Sequence, residues 1–127
     1  MKILVDTHIL IWLLSGDSML SRSAQRILED ERNEIYFSSI NIAEIAIKHV
    51  KNPLLMPLTP EQVREAALEN NLRELDFGSS HAVALASLPL HHKDPFDRML
   101  IAQAEGSQMK LMSHDDFIAV YPVALSV

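Results

Sequence analysis

The sequence predicts a three-layer α/β/α fold built on a central, mainly parallel sheet of four to five strands, and three observations carry that prediction. Short runs rich in Ile, Leu and Val alternate along the chain with longer segments of helical period. The apolar runs lack an inside-outside alternation, as expected of strands covered by helices on both faces. Carboxylates stand where the chain enters helices, at Asp6, Asp97 and Asp115, and in open α/β sheets the ligand crevice lies beyond the carboxyl ends of the strands.

Taken in order, the expected strands are Lys2 to Val5, Ile35 to Ser38, Arg73 to Asp76, Lys110 to Ser113 and, more weakly patterned, Val123 to Val127. The expected helices are Thr7 to Leu14, Ser21 to Glu31, Ser39 to Lys51, Pro60 to Asn70, Ser79 to Ser87, Pro95 to Glu105 and Asp115 to Val120. Pro53, Pro57 and Pro60 mark an ordered loop that stops one helix and launches the next. There Pro60 suits a first helical position after Thr59 as N-cap. No repeat or linker divides the chain, so residues 1–127 are expected to form one domain.

Composition narrows the chemistry. The chain has no cysteine, which excludes disulfides, thiolate metal sites and a cysteine nucleophile. Its three glycines, Gly16, Gly78 and Gly106, cannot build a P-loop or a dinucleotide-binding fingerprint. There is no Gly-x-Ser-x-Gly nucleophile elbow either. The apolar stretch from Ile3 to Leu14 is interrupted by Asp6, Thr7 and His8 and is too short to span a bilayer, so the expectation is a cytoplasmic protein without a membrane partner. The formal net charge of −6 argues against a broad basic surface for nucleic acid. A cation-loaded acidic site resolves that tension, because bound divalent ions reverse the sign that a phosphate meets.

Four acids form the candidate catalytic and metal-binding set: Asp6, Glu44, Asp97 and Asp115, with Asp116 a rival for the last place. Each has a plain structural alternative. Asp6 follows Ile3-Leu4-Val5 and can cap the next helix. Asp97 stands three residues after Asp94, which with Pro95 makes an N-terminal box. Asp115 and Asp116 start the last short helix. Glu44 shares a polar stripe with Asn41, Lys48 and Lys51, on a helix otherwise covered by Ile40, Ile42, Ala43, Ile45, Ala46, Ile47 and Val50. That pattern predicts a helix buried on nearly every side, with only the stripe meeting water. A Glu44 to Lys48 pair alone contributes only about 0.2–0.5 kcal/mol. The set, more than any member, points to a site for hard divalent ions, which favour crowded oxygen ligands. Lys48 and Lys51 are candidate substrate-phosphate contacts beside it. The six histidines show no metal-binding spacing, and none is given a role.

Three segments together resemble a known family: Val5-Asp6-Thr7-His8-Ile9-Leu10-Ile11-Trp12, Ala43-Glu44-Ile45-Ala46-Ile47-Lys48, and His92-Lys93-Asp94-Pro95-Phe96-Asp97-Arg98 with Leu100 to Ala104. The chain is similar to PIN-domain ribonucleases, specifically the VapC-type toxins of bacterial type II toxin-antitoxin pairs, and the likeness extends through Leu111 to Asp115 and Tyr121-Pro122-Val123. The resemblance implies a PIN-like α/β/α fold and an endoribonuclease dependent on Mg²⁺ or Mn²⁺. It also implies a cognate antitoxin as partner and a homodimer. By motif position the acids are Asp6, Glu44, Asp97 and Asp115, and the hydroxyl residue before the last acid is Ser113, a further candidate substrate contact. Two other readings stay open at this level: a catalytically silent PIN-like module that acts through a protein partner, and a DNA-directed nuclease of related fold.

Overall fold

Strand β1 (Lys2–Val5) lies at the centre of a five-stranded sheet of order β3-β2-β1-β4-β5, in which every neighbouring pair is parallel. The computed structural model describes residues 1–127. Along the chain β1 is followed by α1 (Thr7–Ser15), α2 (Arg22–Glu29), β2 (Glu34–Ser38), α3 (Ser39–Lys51), α4 (Pro60–Glu69) and β3 (Arg73–Leu75). Then come α5 (Ser79–Ala84) with a 3-10 turn at Leu85–Ser87, α6 (Pro95–Gly106), β4 (Lys110–Ser113), α7 (Asp116–Ala119) and β5 (Ala124–Ser126). These bounds fall within a residue or two of the sequence expectation, apart from Leu85–Ser87, where α5 tightens into the 3-10 turn.

Alternation along the strands sorts the core into two layers. Ile3, Val5, Ile35, Phe37 and Met112 point to one face, where they pack with Ile9 and Leu10 of α1, Ala24 of α2, Ile45 of α3 and Val63 and Ala67 of α4. Leu4, Tyr36 and Leu111 point to the other, against Leu100, Ile101 and Ala104 of α6, Ile118 of α7 and Tyr121. Both faces are therefore dry, and the sheet is the middle of three layers.

The strand order reverses at β1. The chain runs outward through β2 and β3 on one side, then returns through β4 and β5 on the other. Neighbouring β1 and β4 thus diverge in connection at their carboxyl ends, which opens a crevice there. Met112↔Val5 is the last pair of the β1/β4 register, so Asp6 and Ser113 emerge side by side. Gly16 closes α1 in the left-handed region (φ 64°), its N–H returning to the Trp12 carbonyl, a conformation that costs a residue with a Cβ.

Helix α3 departs from expectation. It is not buried on nearly every side, and its polar stripe is not its wet face. Asn41 and Glu44 are buried at 0% and 4% exposure, whereas Ile47 and Val50 stand at 54% and 82%. The helix is rotated because its polar groups have partners inside: the Ser38 N–H donates to Asn41 Oδ1 (2.7 Å), and Asn41 Nδ2 donates to the Val5 carbonyl (3.3 Å) and to Thr7 Oγ1 (3.1 Å). Satisfying buried polar groups outweighed covering Ile47 and Val50.

Candidate active site

Four helix starts converge at the carboxyl end of the sheet, and each brings its cap. Asp6 Oδ1 accepts from the Ile9 N–H (2.8 Å) at the start of α1, and Ser38 Oγ accepts from the Ile40 N–H (2.9 Å) at the start of α3. Asp94 Oδ1 accepts from the Asp97 N–H (3.0 Å) at α6, and Asp115 Oδ1 accepts from the Phe117 N–H (2.7 Å) at α7. Capping and clustering are not rivals here. Each aspartate cap uses one carboxylate oxygen, and at Asp6 and Asp115 the second oxygen faces inward.

Asp6, only 3% exposed, directs Oδ2 at the Ser113 hydroxyl, which donates to it while accepting from the Asp115 N–H (3.0 Å). Ser113 therefore joins the ends of β1 and β4. Thr7, the next residue, donates its hydroxyl to Glu44 Oε1 (2.6 Å), and Lys48 pairs with Glu44 Oε2 one turn further along α3. Asp97, on the first turn of α6, has its Oδ2 2.8 Å from His92 Nε2, and Asp115 Oδ2 lies 3.6 Å from the same nitrogen. One ligand atom from each of His92, Asp97 and Asp115 lies within 4.8 Å of the others.

The charges of these groups oppose one another. Burial pushes the Asp6 carboxyl above its ordinary value, against the hydrogen bonds from Ser113 and Ile9, and the charge of Asp115 pushes the same way. Asp97 is pushed up to about 7, first by burial and then by the charges of Asp94, Asp6 and Glu44, with His92 acting in the opposite sense. Asp6, Glu44 and Asp97 thus share one field. Of the four acids only Glu44 has a lysine or arginine at ion-pair distance. A cluster of hard oxygen donors that resists ionisation by itself is the donor chemistry that fits a divalent cation.

His92, assigned no role from the sequence, lies among the acids, buried at 9% exposure. Its Nδ1 accepts from the Asp94 N–H (3.3 Å), which places the ring proton on Nε2. Nε2 makes no directed hydrogen bond, since the Asp97 oxygen lies off the ring N–H axis and the Asp115 oxygen is too distant. A cation on Nε2 would require the ring proton on Nδ1, facing the Asp94 N–H. The carboxylates, not the imidazole, are therefore the matching donors. The loop that carries His92 is held by Tyr121, whose Oη accepts from the His91 and His92 N–H groups (3.0 Å each) and donates to the Pro89 carbonyl (2.6 Å). Arg98 completes the clamp with bonds to the carbonyls of Leu88, Pro89 and His92 (3.1, 3.1 and 3.2 Å).

Some expected members fall outside. Asp116 is exposed and makes no contact with the cluster, so Asp115 is the acid that joins it. Lys48 reaches the cluster through Glu44, whereas exposed Lys51 lines a separate cleft with Lys48, Asn52, Leu55 and Met56. Thr7, Asn41 and His92 were missed as site residues. For Asn41 a signal existed: it stands three residues after Ser38, the spacing of a capping box, which the structure forms. For His92 the nearness in sequence to Asp97 was the available hint.

The fold has relatives of known structure. The chain is similar to one in the crystal structure of VapBC2 from Rickettsia felis bound to a DNA fragment from its promoter, with 17% identity over 100% of this chain and 98% of that one, TM-score 0.71. It is also similar to chains in DNA-bound VapBC from Salmonella typhimurium (16% identity, 100% and 97% covered, TM-score 0.68) and in a toxin-antitoxin complex from Klebsiella pneumoniae (21% identity, 98% and 96% covered, TM-score 0.67). At these identities the likeness is one of fold. No curated protein matches the chain. The family model described as PIN domain matches residues 3–122, nearly the full length, and the chain belongs to the PIN domain family.

Proposed function

We propose that this chain is a metal-dependent endoribonuclease that hydrolyses RNA phosphodiester bonds and serves as the toxin of a toxin-antitoxin pair. The observation that carries the nuclease reading is the mutual field of Asp6, Glu44 and Asp97 beside Asp115, with a lysine partner only at Glu44 and His92 as the one basic group beside Asp97 and Asp115. Asp6, Asp97 and Asp115 would hold Mg²⁺ or Mn²⁺, with Glu44 completing the shell or holding a water. A divalent ion there, when bound, supplies a water nucleophile at neutral pH and charge stabilisation at the phosphate.

The chain's own groups prepare the site. Ser113 and the Ile9 N–H fix both oxygens of Asp6, so the carboxylate needs no reordering when a cation arrives. Thr7 and Lys48 hold the two oxygens of Glu44 and keep its charge within the cluster. Asp97, pushed up to about 7, carries a proton through part of the neutral range and releases it when a cation competes for the carboxylate. The Nε2 atom of His92, buried and without a directed hydrogen bond, sits 2.8 Å from Asp97 and 3.6 Å from Asp115, where it favours the ionised form of Asp97.

The toxin reading rests on the PIN domain match and on the likeness in fold to chains from VapBC and toxin-antitoxin complexes. A cognate antitoxin is the partner it implies. Ile47 and Val50 on α3 and Leu54 and Leu55 just beyond it are exposed, at 54%, 82%, 94% and 81%, and would suit a homodimer or that antitoxin. No helix is long and apolar enough to cross a membrane, in keeping with the cytoplasm as the place of action.

The test is incubation of the purified chain with RNA and with single-stranded and duplex DNA, in Mn²⁺ or in EDTA, beside Asp6→Asn. RNA loss that needs Mn²⁺ and is absent from the variant is the expected result. Cleavage of DNA in preference to RNA would replace the substrate. Cleavage by Asp6→Asn equal to the parent would remove the site.

A further inference from the structure

Beside the acids lies a cleft of about 220 Å³ lined by Asp6, His8, Trp12, His114 and Asp115. Three of its five walls are aromatic rings, two from α1 and one from the distant segment after β4. His8 and Trp12 stand one turn apart on α1, with ring centroids 5.8 Å apart and planes 35° from parallel. His114, between β4 and α7, meets Trp12 edge to face at 6.0 Å and 66°. Trp12 packs against the core and is only partly buried, while His8 and His114 are exposed. The His114 ring is fixed from behind, its Nδ1 2.7 Å from the Val127 carbonyl.

We propose that Trp12, with His8 and His114, forms a stacking site for one unpaired nucleobase, adjoining the acids Asp6 and Asp115. The proposal rests on the nuclease reading for the identity of the ligand and deepens it to a subsite. The cleft is smaller than the roughly 300–1,000 Å³ of sites for drug-sized ligands and matches a single heterocycle. Its other two walls are the carboxylates that would face a scissile phosphate, so a base seated on Trp12 belongs to a nucleotide at or next to the cut.

The charge of the chain adds a reason. At a formal −6, with Lys48 paired to Glu44 and Lys51 in another cleft, neither lysine of α3 is free to serve a phosphate beside Trp12. Stacking supplies affinity that needs no basic side chain there. Base-on-aromatic stacking tolerates any sequence and adds affinity without counterion release. An unpaired base is required, because a base inside a duplex has no free face for the ring. The site therefore selects single-stranded segments.

Trp12 is the one tryptophan of the chain, so its fluorescence reports the site directly. The experiment is rapid mixing of the unmodified chain, in Mg²⁺, with a short single-stranded oligoribonucleotide and with an abasic chain of equal length, read before turnover. The expected result is saturable quenching by the first and not by the second. Trp12→Ala should raise KM roughly tenfold or more, with Trp12→Phe restoring most of it and the difference insensitive to added salt. Because Trp12→Ala also removes core contacts, His114→Ala supplies a second variant, expected to raise KM in the same direction. Equal quenching by both chains, or none while RNA is still cleaved, would overturn the stacking site and leave the nuclease reading intact. Base-dependent quenching with no cleavage in any metal would keep the stacking site and sink the nuclease reading.

Discussion

Replacing Asp97 with Asn removes a charge that the folded chain holds at a cost, so the variant should be more stable than the parent where that charge is present. The magnitude follows from the displacement of Asp97 from 3.8 to about 7. At about 1.4 kcal/mol per pH unit, the cost of ionising it in the metal-free fold is at most about 4 kcal/mol. Its side chain keeps 19% of its surface in solvent, and water and salt screen the neighbouring charges, so the realised cost is on the order of 1–3 kcal/mol. The sign is that of a raised acid. The folded state binds the extra proton between 3.8 and about 7, so stability falls as pH rises through that window and the full cost is present above it. Asp97→Asn should therefore raise Tm by several degrees at about pH 8 and by little near pH 4. The assay is thermal unfolding of both proteins in EDTA across that range. A loss of stability at high pH, or a gain independent of pH, would refute the electrostatic origin of the displacement. The same substitution should abolish metal-dependent cleavage.

Four other outcomes are expected. Mn²⁺ should raise the Tm of the parent more at about pH 8 than near pH 5, since protons compete for Asp97 and Asp6 at the lower pH, and a hundredfold excess over Kd at the higher pH stabilises by about 2.7 kcal/mol. Thr7→Val should cost about 1–3 kcal/mol in urea unfolding by stranding Glu44 Oε1, and lower cleavage in the same variant. Tyr121→Phe strands the His91 and His92 N–H groups and leaves the Pro89 carbonyl with Arg98 as its donor, with a similar expected cost and a fall in RNA cleavage as the His92 loop loosens. Val50→Asp should dissociate a homodimer built on the apolar end of α3, visible by sedimentation, with no change if that surface is free.

Much of the architecture was legible because the strands and helices declare themselves by period. Lys2 to Val5 and Lys110 to Ser113 are predicted at the bounds the structure has, and Ser39 to Lys51 likewise. The convergence of the acids was legible for a topological reason: carboxylates that begin helices after parallel strands are carried to one edge of the sheet. The orientation of α3 was not. A helical wheel counts apolar residues but cannot know that Asn41 will find the Val5 carbonyl, or that Glu44 will find Thr7, across more than thirty residues of chain. Those long-range bonds turned the stripe inward and left Ile47 and Val50 in water. His92 was hidden for the same reason, since the loop that carries it is held by Tyr121, remote from it in sequence, as well as by nearby Arg98. The aromatic cleft was equally invisible, because Trp12 and His114 meet only through the pairing of β1 with β4.

The sharing of one divalent cation by Asp6, Asp97 and Asp115 is tested most directly by anomalous scattering from a crystal of the chain soaked in Mn²⁺. The predicted result is a peak bonded to oxygens of Asp6 and Asp97, with Asp115 or Glu44 reaching it directly or through water, and absent from Asp6→Asn. A peak on His92 without Asp6, or no peak at the carboxyl end of the sheet at saturating Mn²⁺, would contradict it.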